Sequence, residues 1–185
     1  MVEHDLAKVG VEGSNPFARS KFLKHADCRA DFFRVASARA DSGASGVNMA
    51  HWLVKSEPSK WSWEQQVAAG KAGTFWNGVR NHSAKLSLMA MKVGEQAFFY
   101  HSNEGKAVVG IVEVIKAYYP DPSDGSGKFG MVDFAAVKPL ASPVTLETIK
   151  LEPELAKMVL VNNSRLSVQP VTVAEWALVC RLGGI

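Results

Sequence analysis

The chain has 185 residues, 47% hydrophobic and 21% charged, with a net charge of +3. That is enough apolar material for one buried core, and the mild positive balance permits nucleic-acid binding without arguing for it, since no run of Lys and Arg forms an electrostatic footprint. No stretch is long and apolar enough to span a membrane as a helix, and Cys28 and Cys180 stand too far apart, with no clustered histidine, to suggest a disulfide framework or a zinc site. A reducing compartment fits, which is the cytoplasm for a bacterial chain and the nucleus for a eukaryotic one.

Residues 1–48 contain no tryptophan, lack periodic apolar spacing, and end in the small-residue run Ala40-Asp41-Ser42-Gly43-Ala44-Ser45-Gly46. This composition predicts a disordered extension. Arg29, Arg34 and Arg39 suit a transit peptide, but the interspersed Asp27, Asp31 and Asp41 do not. Gly13-Ser14-Asn15-Pro16 also matches one reading frame of the T-arm sequence of transfer RNA genes, so a mis-annotated start, with true initiation at Met49, is a further expectation.

From Met49 to Ile185 the pattern is regular and reads as one domain. His51 to Ser56 is a first strand ended by Pro58. Ser62 and Gln65 have capping-box spacing for a short helix through Ala69, stopped by Gly70. Thr74 to Asn81 is expected as a loop turning at Gly78, with Trp76 and Arg80 presented from its two sides. Ala84 to Met91 has helical spacing, with Leu86, Met89 and Ala90 on the buried face and Ser83 as cap.

Glu95 to His101 and Ala107 to Tyr118 form a hairpin through Ser102-Asn103-Glu104-Gly105, the second strand apolar on both faces and therefore central. Pro120 to Lys128 is a loop of mobile composition. Met131 to Val137 is a strand ended at Pro139, followed by helical pieces at Leu146 to Lys150 and Pro153 to Leu160. Leu166 to Gln169 is a short strand closed by Pro170. The last helix starts at a Thr172–Glu175 capping box, is anchored by Trp176, Leu178 and Val179, and stops at Gly183; Cys180 within it is a packed thiol.

Four polar clusters fall at strand ends or loops: Lys55-Ser56, Trp76-Asn77 through Arg80-Asn81, Tyr100-His101-Ser102-Asn103, and Arg165-Leu166-Ser167. On one rim of a small barrel they would line a concave site, with Trp76 stacking on a planar ring, the amides and hydroxyls reading its edge, and Lys55, Arg80 and Arg165 meeting phosphates. Each serine or asparagine taken alone reads first as turn chemistry, and Trp76 taken alone as a core anchor with a satisfied indole N–H; their joint placement lifts the functional reading. His101 and Ser102 point to opposite faces of a strand, so they do not form a nucleophile and base, and no Walker loop, dinucleotide fingerprint or metal-ligand spacing is present. The sequence reads as a non-catalytic binding module without a cofactor.

These same segments carry a resemblance. His51-Trp52-Leu53-Val54-Lys55-Ser56-Glu57-Pro58, Phe75-Trp76-Asn77-Gly78-Val79-Arg80-Asn81, Phe98-Phe99-Tyr100-His101-Ser102-Asn103, Val109-Gly110-Ile111-Val112-Glu113-Val114 and Ser164-Arg165-Leu166-Ser167-Val168-Gln169-Pro170-Val171 resemble the EVE domain family, over residues 49–185. The resemblance implies an α+β, PUA-like fold, a curved mixed β-barrel with flanking short helices, related to the YTH domains that read methylated adenine in RNA. It also implies a reader of modified bases, C5-modified cytosine in DNA or a modified base in RNA. Trp76 would then be the stacking wall, Asn77 an edge contact and Lys55-Ser56 the neighbouring strand end; Tyr100, His101, Ser102, Asn103, Arg165 and Ser167 match family motifs without individual roles. Many relatives carry Asp where this chain has Asn77, which changes what the edge contact can donate. Trp76→Ala is expected to abolish binding and leave the fold intact. The competing expectation is a small-molecule sensor or protein-interaction module using the same pocket; an effector partner is not identified by the sequence.

Overall fold

The computed structural model describes residues 49–185; the extension expected over residues 1–48 lies outside the described residues. The strands are β1 (His51–Ser56), β2 (Thr74–Trp76), β3 (Gln96–His101), β4 (Ala107–Pro120), β5 (Gly130–Thr145) and β6 (Val168–Val171). The helices are α1 (Trp63–Ala68), α2 (His82–Ala90), α3 (Leu146–Leu151), α4 (Val159–Asn162) and α5 (Val173–Leu182). No helix among the described residues is long and apolar enough to cross a membrane.

All six strands join one mixed sheet in the order β2-β5-β4-β3-β1-β6, in which β1 and β3 are parallel and the other neighbours antiparallel. The crossover between β1 and β3 carries α1, β2 and α2. The sheet is not closed into a hydrogen-bonded barrel, because β2 and β6 are its two edges. Instead α2 packs on β6 and also on β5 and β4, so a helix spans the gap that a closed barrel would fill with another ladder.

A parallel pair must be covered on both faces, and two core clusters do this. On one face Trp52, Val54, Phe99, Val112 and Phe134 pack with α1 and α2. On the other, Leu53, Phe98, Ile111, Leu140 and Val144 pack with the C-terminal helices. Successive strand residues alternate between these clusters, as the pleat requires.

Local signals set most boundaries. The Ser62–Gln65 and Thr172–Glu175 capping boxes are both formed reciprocally. The β3–β4 hairpin is present and β4 is interior. Several expectations are corrected. Thr74 to Trp76 is a short strand paired to β5, so Trp76 ends a regular element and is not presented by a loop. Asn81, not Ser83, caps α2, and its inward residues are Ala84 and Leu88, whereas Leu86 and Met89 are 65% and 52% exposed. Strand β5 continues through Pro139 to Thr145. It can do so because β2 covers only Val132, Asp133 and Phe134, leaving the rest of that side an edge where a missing N–H is tolerated. Pro170 lies inside edge strand β6 for the same reason, and Leu166 and Ser167 precede that strand. The piece expected over Pro153 to Leu160 is a 3-10 turn at Pro153–Leu155 followed by α4.

Gly110 is required by close approach: a Cβ there would collide with the six-membered ring of Trp63, which lies directly over β4. Gly110→Ala is therefore expected to destabilise the fold by about 1–3 kcal/mol through overpacking. Its denaturant midpoint should fall with the slope unchanged; an unaltered midpoint would show that Trp63 can move away at no cost.

Candidate functional site

Three of the four polar clusters meet at one end of the sheet. The parallel register sets Lys55 beside Tyr100 and Ser56 beside His101, and the Ser102 N–H donates to the Ser56 carbonyl at 2.8 Å. The Lys55 backbone N–H donates to the Ser167 carbonyl at 2.9 Å, and its Nζ donates to the Ser164 carbonyl at 2.9 Å, which draws the 164–167 turn to the same end.

The pleat then divides them. Trp52, Val54, Phe99 and Trp76 belong to one core cluster, while Leu53, Phe98 and Tyr100 belong to the other. Lys55 follows Tyr100, with Nζ 5.8 Å from that ring's centre, so both side chains lie on the face opposite Trp76. Burial pushes the Lys55 ammonium down to about 8 and the Tyr100 phenol up to about 12. Ser56 and His101 lie on the Trp76 face. Ser56 is buried and its Oγ donates to the Trp61 carbonyl at 2.7 Å. His101 accepts the Trp63 N–H at Nε2, 3.1 Å, its ring is edge-on to Phe99, and burial lowers its pKa. That nitrogen is therefore occupied as an acceptor, and His101 ties α1 to the sheet.

Trp76 is fully buried. Its ring meets Phe99 and Phe134 nearly perpendicular, at centroid distances of 5.7 and 5.6 Å, within a cluster that also contains Trp61, Trp63, Val79 and Leu166. The core-anchor alternative is thus correct for the ring but not for its N–H: Nε1 meets no acceptor among the described residues. Leaving a buried donor in this state costs about 1–3 kcal/mol. Asn77 beside it is also buried.

The turn after Trp76 is fastened by Asp121, which composition had placed in a mobile loop. Asp121 is buried, and its Oδ2 accepts the Gly78 N–H at 3.0 Å and Arg80 Nη1 at 2.8 Å. Its Oδ1 accepts the Ser123 N–H and hydroxyl, and Arg80 Nη2 donates to Ser123 Oγ at 3.0 Å. Gly78 has φ +76°, the left-handed conformation that glycine adopts without strain. Burial alone would raise the Asp121 pKa; hydrogen bonds from Ser123, Arg80 and Gly78 together outweigh it and hold the carboxyl below its usual range. Arg80 is consequently an anchored guanidinium with one side to solvent. Asn81 uses its Oδ1 to cap α2 through the Ala84 N–H at 3.1 Å.

Asn103 and Arg165 stand apart. Asn103 has φ +64° in the exposed hairpin turn and lines a separate cleft of about 420 Å³ with Lys106, Thr145, Glu147 and Lys150. Arg165 is exposed on the 164–167 turn. Sequence reasoning missed Trp61, Trp63 and Asp121. The two tryptophans flank the Ser62 cap and are both buried, but Trp61 precedes α1 and residues two apart do not share a helix face, so their spacing alone did not show it. Asp121 offered only the local turn bond to Ser123 two residues on, because Gly78 and Arg80, the partners that fasten the site, are more than forty residues away in sequence.

The sequence model of the EVE domain matches residues 50–182. The chain belongs to the EVE domain family. Thymocyte nuclear protein 1 of Gallus gallus is 37% identical over 177 residues, covering 77% of this chain and 73% of the relative. The solution structure of a Rhodopseudomonas palustris protein, Rpa0253, is 65% identical, with TM-score 0.71 over 74% of this chain and 94% of that one. The human THYN1 protein, solved in complex with 5-methylcytosine-containing DNA, is 35% identical, with TM-score 0.67 over 74% of this chain and 98% of that one. The described sheet and short helices are accordingly those of a PUA-like α+β EVE domain, with α2 where barrel closure was expected.

Two outcomes follow for this EVE domain. Trp76→Ala is expected to cost about 3–5 kcal/mol of stability, as a large core truncation, so the variant loses fold as well as any binding; thermal unfolding measures this, and an unshifted transition would contradict full burial. Asp121 has a depressed folded pKa, so its contribution is complete above its ordinary value of 3.8 and is lost as pH falls through the lower folded value. The stability gap between wild type and Asp121→Asn should therefore narrow below about pH 4, measured by urea unfolding across that range.

Proposed function

We propose that the protein is a non-catalytic reader of modified nucleobases, taking one base, C5-modified cytosine in DNA or a modified base in RNA, at the Trp76 turn. The observation that carries this reading is the fold match to the human THYN1 protein solved with 5-methylcytosine-containing DNA, at 35% identity across nearly the whole of that chain. The site's chemistry agrees with it. Trp76, Trp61, Trp63 and Phe99 supply apolar ring surface, and the indole N–H of Trp76 is a donor in need of an acceptor such as a base-edge oxygen or nitrogen.

Among the residues read from sequence, Ser56, Trp76, Asn77 and His101 form the inner side of this site, with Arg80 and Asn81 at its rim. Lys55 and Tyr100 support it from the opposite face, Ser102 and Ser167 act through the backbone, and Asn103 and Arg165 serve at most the flanking strand. Because Trp76 is fully buried, uptake of a base requires local opening of the packing around it. The apparent affinity is reduced by the fraction of molecules that are open. Extrusion of the base from its own stack costs a few kcal/mol more, so a base that is already unstacked binds best.

The test is a titration of the full chain with short oligonucleotides that differ only in one modified base. Wild type should prefer the modified strand. Trp76→Phe keeps a ring in the core and deletes the N–H; affinity should fall about two- to tenfold, the worth of one hydrogen bond of ~0.5–1.5 kcal/mol. Equal binding of modified and unmodified strands overturns the reader. No response to any oligonucleotide transfers the site to a small molecule or a protein partner. Mass spectrometry of the recovered oligonucleotide should find its nucleosides unchanged.

A further inference from the structure

Phe129, at the end of the 121–129 loop, is surrounded by basic side chains from a different part of the chain. Arg80 Cζ lies 5.7 Å and Lys85 Nζ 5.9 Å from its ring centre, and the His82 ring is 5.3 Å away at 46°. Lys128 is its exposed neighbour in sequence. The half-buried ring acts as a post that gathers these groups at the start of α2, directly after the Trp76 turn.

Two facts set the local charge. The first turn of α2 contains no acidic residue, so the positive end of the helix adds to these basic side chains instead of being compensated. The carboxylates nearby are already committed. Asp121 is buried against Arg80 and Gly78, and Asp124 accepts from Ser126, Lys128 N–H and Phe129 N–H inside its own loop, which holds it down to about 2. Among the described residues neither Lys85 nor Lys128 is in an ion pair. Asp121 and Ser123 fix the guanidinium of Arg80 in one orientation, so part of the ordering cost of meeting an anion is met beforehand.

We propose that Arg80, His82 and Lys85, gathered on Phe129, are a contact surface for the phosphodiester backbone flanking the base held at the Trp76 turn. Resting on the base-reader assignment, it adds the part that grips the strand irrespective of the base. Position follows from the chain: Gly78 and Arg80 share one carboxylate and α2 begins at His82, directly after the segment that follows Trp76, so the surface adjoins the place where the base would enter.

The experiment measures affinity of the full chain for modified and unmodified oligonucleotides, as DNA and RNA, single strand and duplex, across a salt series. Lys85→Ala should weaken modified and unmodified strands by the same factor and reduce the slope of log affinity against log salt by about 0.7 for a single strand or about 0.9 for B-form DNA. Lys85→Arg should restore that slope. Phe129→Leu should weaken both strands equally while leaving the unfolding transition in place. Trp76→Phe should change the ratio between modified and unmodified strands without changing the slope; a wild type that shows no base preference but keeps the Lys85 effect rejects the base reading alone. An unchanged slope in Lys85→Ala, or failure of wild type to bind any of the oligonucleotides, overturns the backbone surface. A slope effect with only DNA or only RNA assigns the strand type.

Discussion

The parallel pairing of β1 with β3 is the constraint on which the arrangement depends. Both strands are covered on each face, so every residue along them is assigned to one of two interiors by the pleat, and residues adjacent in sequence cannot serve the same site. Lys55 and Ser56 look like one motif but act on opposite sides of the sheet, as do Tyr100 and His101. The hydrogen bonds from Lys55 to the 164–167 turn and from Ser102 to Ser56 then hold the strand ends together from outside the pleat.

Inside the core, indole N–H groups are treated in two ways. Trp52 Nε1 donates to Glu95 at 2.8 Å, and Trp61 Nε1 donates at 2.9 Å to Gln66, whose own amide continues to the Phe134 carbonyl. These are satisfied networks that fix α1 and β1 against the sheet. Trp76 shares their cluster without sharing that satisfaction, which makes it the place where the core is under polar strain. Asp121 sits just outside, tying the segment after Trp76 to a loop from the far end of β4.

What was legible in the sequence was whatever is encoded over a few residues. The capping boxes at Ser62 and Thr172, the β3–β4 hairpin and the first strand depend on near neighbours, and they stand where spacing put them. The motif positions also sufficed to recognise the family. The orientation of α2 was not legible, because a nine-residue helix with apolar residues at 84, 86, 88 and 89 offers two stripes, and only the sheet beneath decides which is inward. Strand ends at proline were misplaced because Pro139 and Pro170 are forbidden only in a strand paired on both sides, and edge status is a property of the whole sheet. Trp76 carried the strongest local signal, yet its burial depends on Phe99 and Phe134, which reach it from other strands.

The open sheet has a consequence for solubility. An unclosed sheet presents two rows of unmet backbone groups to other chains, the usual starting point for strand addition and fibrous aggregation. Here one edge is only three residues long at β2, the free side of β5 beyond it is interrupted by Pro139 and Pro143, and the other edge carries Pro170 beneath the packed helix α2. Neither border offers a long, flat template. The same prolines that obscured the strand limits make the borders of an incomplete barrel poor templates for strand addition.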